Sequence, residues 1–147
     1  MSGLKAPMPG TVYAAFDRAA RSLFEAASRR RPEERYVAAH VAALQVTAAV
    51  LAALAKPSGR GRPTSAWVLL DRVAPEFADW ATYFSAGAGK RAAAESGLPH
   101  AVTARESDDL LRASEQFFTE AARRLDLEPA VLLGATGYLS AGLQDAS

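Results

Sequence analysis

Residues 35–56, RYVAAHVAALQVTAAVLAALAK, contain neither Gly nor Pro and are rich in Ala. That composition favours an α-helix strongly, and at the usual rise of about 1.5 Å per residue it would run roughly 33 Å, the width of a small domain. One apolar row runs Tyr36, His40, Ala43, Thr47, Val50 and Leu54, and a second runs Val37, Val41, Leu44, Ala48 and Leu51. Only His40, Gln45 and Thr47 interrupt them. A helix apolar nearly all round is either a central core helix or a membrane span. A span needs about 20 mostly apolar residues, and this run is shorter and diluted by Ala. The expectation is therefore a buried central helix around which the other elements pack, with no membrane insertion.

The remaining 125 or so residues of the 147-residue chain have to supply that packing. Thr11 is positioned to cap a first helix over about 11–29, with Val12, Phe16, Ala20, Leu23 and Ala27 as its apolar row at helical spacing. Pro32, tolerated in a first helical turn, and Glu33 and Glu34, suited to a positive helix end, place the start of the central helix near Pro32. PSGRGRPTS, residues 57–65, is the clearest loop. Thr64 or Ser65 then caps a third helix with Trp67, Leu70 and Val73 on its inner row, which Pro75 either kinks or restarts. Phe77, Trp80, Ala81 and Phe84 continue the row, and Gly87 and Gly89 weaken the helix or allow close packing. Thr103 and Glu106 form a capping box that opens a fourth helix to about Arg124. A short helix over Glu128–Leu133 and an apolar tail close the chain.

No strand pattern and no internal repeat is present. The pattern predicts an all-α, antiparallel bundle of four long helices plus a short C-terminal helix. Residues 1–10 would form an arm, 11–125 the bundle, and 126–147 the short helix and tail. The absence of Cys removes disulfides, thiol nucleophiles and thiolate metal sites. The N-terminal MSGLKAPMPG lacks the apolar segment of a signal peptide, so a cytoplasmic protein is expected. Arg far outnumbers Lys, and Ile and Asn are absent, as in proteins from high-GC bacterial genomes.

Net charge is +1 but unevenly spread: residues 1–62 carry +6 and residues 63–147 carry −5. The basic part, with Arg29, Arg30, Arg31, Arg60 and Arg62, could meet an anion such as nucleic acid, or could simply be a solvated face. With only His40 and His100, no HExxH pattern and no Glu-x-x-His pair, no metal or other cofactor is expected. GRGRP lacks the ending of a phosphate-binding loop.

Arg35 and His40 remain. Five residues apart, they are rotated by about 140° on a helix and do not stack. His40 at the edge of a core could move a proton to or from an RNA 2′-hydroxyl or leaving oxygen, with Arg35 stabilising charge on the phosphate. Alternatively, His40 is a core histidine hydrogen-bonded to a neighbouring helix and Arg35 covers a helix end.

The stretches RYVAAHVAALQVTAAVLAALA, SAWVLLDRVAPEFADWATYFSAGAGKRAAAESGLP and VTARESDDLLRASEQF resemble a single-domain actinobacterial family of the HEPN superfamily. The resemblance runs from about Thr11 to Leu125. It implies a four- to five-helix bundle, commonly a homodimer. Many members are metal-independent RNases with an R-x(4–6)-H motif at the dimer cleft, a spacing that Arg35 and His40 fit. Others are non-catalytic and bind nucleotides or partner proteins. The expected function is therefore RNA or nucleotide binding with candidate endoribonuclease activity at Arg35 and His40, and the alternative is a non-catalytic dimeric interaction module. The two Trp, six Phe and apolar tail also favour a homodimer.

Overall fold

Helix α2, Pro32–Leu54, is the shared wall of the structure. The computed structural model describes residues 8–56 and 64–134. Within them α1 spans Gly10–Ser28, α3 Ala66–Val73, α4 Ala78–Ala86, α5 Ala88–Glu95, α6 Ala104–Arg124 and α7 Pro129–Gly134. No strand occurs among the described residues. The all-α bundle expected from the sequence is the fold found.

α1 lies antiparallel along α2 because only Arg29, Arg30 and Arg31 separate them. α6 packs on a second side of α2, and α3 and α5 on a third. Small residues make these approaches close: Ala39, Ala42, Ala43 and Ala49 of α2 are wholly buried. Large ones fill the spaces, with Phe16 of α1 meeting Phe118 of α6 edge-on at 5.2 Å between ring centroids. Ser114 of α6 donates to the Ala39 carbonyl at 2.8 Å, so the hydroxyl buried at this contact is satisfied.

The helix ends follow the local chemistry with one exception. Ser65 caps α3 by accepting from the Val68 amide, and Thr103 and Glu106 form the reciprocal capping box of α6. α5 and α6 end in left-handed residues, Gly97 and Asp126, whose following amides reach back to Ala93 and Ala122. The exception is Thr11. α1 starts one residue earlier, after Pro9, and has no side-chain cap.

The third limb is segmented rather than one long helix. Ala74, preceding Pro75, is pushed out of the helical region, so α3 stops and a 3-10 turn over Pro75–Phe77 leads into α4. A second break falls at Gly87, between α4 and α5. Here a Cβ would lie 2.7 Å from the Tyr36 hydroxyl, so close approach of the α4–α5 corner to α2 requires glycine. Gly89 has no such neighbour. Trp80 donates to Glu120 at 3.0 Å and Arg124 to Glu76 at 2.6 Å, which ties this limb to α6.

Segmentation has a consequence for α2. Its first row is covered: Tyr36, His40, Ala43, Thr47 and Val50 are buried. Its second row is not. Val37, Val41, Leu44 and Leu51 are half-buried and Ala48 is exposed, so among the described residues the helix expected to be closed on all sides is only partly covered along one. The reason is geometric: α1, α6 and the short α3 and α5 segments cover three sides and leave a groove between α1 and α5. α2 has the length and apolarity of a membrane span, yet half of that stretch is buried against the other helices, as in a core helix. α7 lies against α1 and α6, close to where the sequence places it, and residues 135–147 lie outside the described part.

Gly87→Ala should destabilise the fold by about 1–3 kcal/mol in denaturant titration, the usual cost of overpacking. In a Tyr36→Phe background the same change should become neutral or slightly stabilising, because Gly87 has an ordinary helical backbone (φ −83°) and alanine restricts the unfolded chain.

Candidate functional site

Arg35 and His40 stand five residues apart on α2 and leave it in different directions. Arg35 folds back over the end of α1. Its Nε donates to the Ala26 carbonyl at 3.0 Å, one terminal nitrogen donates to the Ala27 and Arg29 carbonyls at 3.4 and 2.9 Å, and the other pairs with Asp108 of α6 at 2.5 Å. These carbonyls belong to the last turn of a helix, where no intrahelical amide remains to satisfy them and the macrodipole is negative. Four of the five guanidinium N–H donors are thus engaged within the protein.

His40 is 1% exposed. Its Nε2 lies 2.8 Å from the Phe84 carbonyl at the end of α4, and its Nδ1 lies 3.4 Å from a terminal nitrogen of Arg91 on α5. A carbonyl can only accept and a guanidinium can only donate. The ring is therefore the neutral Nε2–H tautomer, donating to Phe84 and accepting from Arg91. Trp67 and Phe84 stand edge-on to it at 5.7 and 6.4 Å. Burial lowers the pKa of His40 below its ordinary value. The Phe84 carbonyl opposes that shift, Arg91 adds to it, and Glu95 opposes it. Tyr36, one turn before His40, is buried beside Gly87, and burial first, then Tyr83, raises its pKa.

Arg91 is the member of this cluster that the sequence did not single out. It is half-buried, bonded to Glu95 at 2.5 Å, and 51 residues from His40 along the chain. Its only local signal is the i,i+4 spacing to Glu95, common to many exposed helical pairs.

Separate from both residues is a cleft of about 620 Å³ between α1, α2 and α5. Val37, Val41 and Leu98 line its apolar part. Glu25, Glu33, Glu34 and Glu95 outnumber Arg29 and Arg31 around it. Arg29 is held by Glu25 at 3.0 Å and Glu34 at 3.8 Å, whereas Arg30 and Arg31 are exposed at the α1–α2 connection. Arg60 and Arg62 lie outside the described residues. Among the described residues, no cluster of three or more His, Asp or Glu could hold a metal ion.

Residues 26–122, from the end of α1 through nearly all of α6, match the SAV_6107-like HEPN family. The chain belongs to this HEPN family. No curated protein and no solved structure matches it. In this HEPN domain the R-x4-H spacing is present in sequence, with the arginine turned to the α1 end and the histidine to the α4–α5 corner.

The tautomer carries a pH prediction. A histidine whose folded pKa is depressed contributes stability that is present above the unfolded value, 6.5, and is lost as pH falls below it. His40→Gln should therefore be less stable than the parent at about pH 7.5, and the difference should shrink at about pH 5.5, where an unfolded histidine is mostly charged. Urea titrations of both proteins at the two pH values measure it.

Proposed function

We propose that this HEPN domain is a non-catalytic, cytoplasmic interaction module that acts as a homodimer, and that Arg35 and His40 serve its fold rather than RNA cleavage. The observation that carries this reading is the double engagement of His40, with Nε2 on Phe84 and Nδ1 facing Arg91 at 1% exposure. A general base or acid needs a ring nitrogen within hydrogen-bond reach of the substrate proton. Here one nitrogen carries its proton into a carbonyl and the other is covered by a cation. Protonating it, as the acid half of RNA cleavage requires, would place two positive charges side by side away from water. Arg35 would likewise have to leave three carbonyls and a carboxylate to stabilise a phosphate.

RNA or nucleotide binding is the second reading, favoured by the exposed Arg30 and Arg31 at the α1–α2 connection. Glu25, Glu33 and Glu34 beside them weaken the local field. Any such binding would be of the phosphate-contact kind, strong at low salt and falling steeply as salt rises.

The decisive experiment incubates the protein with single-stranded RNA in chelator. The parent protein is expected to leave the RNA intact, and His40→Gln and Arg35→Lys to lower the melting temperature by several degrees through stranded buried partners. A parent protein that releases 2′,3′-cyclic phosphate ends, with a His40→Gln variant that is inactive yet equally stable, would overturn the proposal.

A further inference from the structure

The cleft between α1, α2 and α5 has a volume of about 620 Å³ and lies beside the α1–α2 connection. That is the size class of a small-molecule site, whereas a well-packed bundle leaves few gaps larger than a water molecule. Its floor is apolar. Val37 and Val41 of α2 are half-buried there, and Ala38 between them is buried. Leu98, in the turn after α5, stands at its edge with 55% of its surface exposed. Neither Arg35 nor His40 lines it.

We infer that this cleft binds an amine with an apolar body, its ammonium among the carboxylates of the walls and its hydrocarbon on Val37, Val41 and Leu98. The inference goes beyond the module reading and needs neither self-association nor RNA. Each part of the ligand follows from a part of the lining. The hydrocarbon follows from the floor. A bare ion would leave those side chains in water, whereas covering them stabilises a complex roughly in proportion to the apolar area removed from water. Among the described residues, moreover, no cluster of carboxylates and imidazoles is suited to a metal ion.

The positive charge follows from the walls. Glu25, Glu33, Glu34 and Glu95 outnumber Arg29 and Arg31 around the cleft. Arg91, which pairs with Glu95 at 2.5 Å from outside the lining, still leaves carboxylates in excess. A cleft lined by one sign of charge concentrates the opposite sign. Arg29 shows that a cation fits among these groups. Its guanidinium lies 3.0 Å from Glu25 of α1 and 3.8 Å from Glu34 of α2, so carboxylates of two helices already converge on one positive group. Glu33, half-buried beside them, pairs with no cation among the described residues. The α5 wall adds an acceptor. In a continuing helix the Glu95 carbonyl would accept from residue 99, but residue 99 is Pro, which has no N–H. A phosphate or carboxylate ligand would instead meet these acidic walls.

Titration of the 147-residue chain with 4-phenylbutylamine, followed by methyl NMR, tests this. 4-Phenylbutanol and 4-phenylbutyrate serve as neutral and anionic ligands with the same body. The amine should bind saturably with a Kd of about 1 mM or below, as suits so small a ligand. It should shift the methyl signals of Val37, Val41 and Leu98, and bind about fivefold or more tightly than either counterpart, the scale of one charge contact near a surface. Glu33→Lys, in the first turn of α2, should remove that preference and raise the butyrate to the level of the amine, with circular dichroism unchanged. Leu98→Ser should weaken all three ligands alike, because it removes apolar contact and no charge. Spermidine, with ammoniums joined by short methylene chains, separates two sources of the chemistry. Tighter binding than the phenyl amine marks a polyamine site, and weaker binding a site for a monoamine with a larger apolar body. Absence of saturable binding by both amines overturns the inference. So does an alcohol or acid that binds the parent as tightly as the amine, a Glu33→Lys variant that keeps the parent's preference, or shifts confined to methyls outside the cleft. The titration reads neither oligomeric mass nor RNA ends, so this inference and the module reading fail separately.

Discussion

The hydrogen bond from His40 Nε2 to the Phe84 carbonyl holds the weakest limb of the bundle to its strongest helix. The limb from Ala66 to Glu95 is broken twice, at Pro75 and at Gly87, and each break exposes helix-end groups that need partners. His40 supplies one at 2.8 Å and draws Arg91 to its other nitrogen. Tyr36, a turn earlier, rests on Gly87 where no side chain would fit. Trp67 and Trp80 stack on either side of Phe84 at 5.5 and 5.7 Å, so the carbonyl that His40 grips belongs to the best-packed aromatic ring of the limb. A polar bond inside apolar walls is stronger than the same bond in water, and here it adds to the bond that the Phe84 carbonyl accepts from the Gly87 amide at 3.1 Å.

Two faces of one helix thus do different work. The closed face of α2 gives its few polar atoms partners inside the protein: His40 on Phe84 and the Ala39 carbonyl on Ser114 join it to its neighbours, and Thr47 bonds back to the Ala43 carbonyl of the same helix. No buried side-chain polar atom among the described residues is left without a partner. The open face carries only aliphatic side chains over most of its length. A closed polar face and an open apolar face are what an interaction module built on a HEPN fold needs. A nuclease needs the reverse, with the polar pair in the open.

Much of the fold was legible in the residues. The capping box at Thr103 and Glu106, the breaker at Pro75 and the Pro32 start of α2 are local signals, and local signals are what a sequence carries plainly. Thr11 failed as a cap because Pro9 already sets the extended entry to α1. The open row of α2 was unreadable for a different reason. An apolar row facing a neighbouring helix and one facing solvent have the same spacing, and only the count of covering helices separates them. Of the site, both readings of Arg35 and His40 were in view. What favours the structural reading is Arg91, far along the chain and marked only by an ordinary i,i+4 pair. Phe84 contributed through its backbone carbonyl, which no side-chain pattern reveals.

The central claim is that His40 is a neutral, internally bonded ring. Its most direct test is nitrogen-15 NMR of the imidazoles, a spectrum simplified by there being only two histidines, with the exposed His100 as the second signal. The account predicts that His40 shows a protonated Nε2 and a bare Nδ1. That pattern should stay unchanged as pH falls through the ordinary histidine value of about 6.5, with slow exchange of the Nε2 proton. A His40 ring that titrates near that value and exchanges its proton rapidly with solvent, as a general base must, would contradict it.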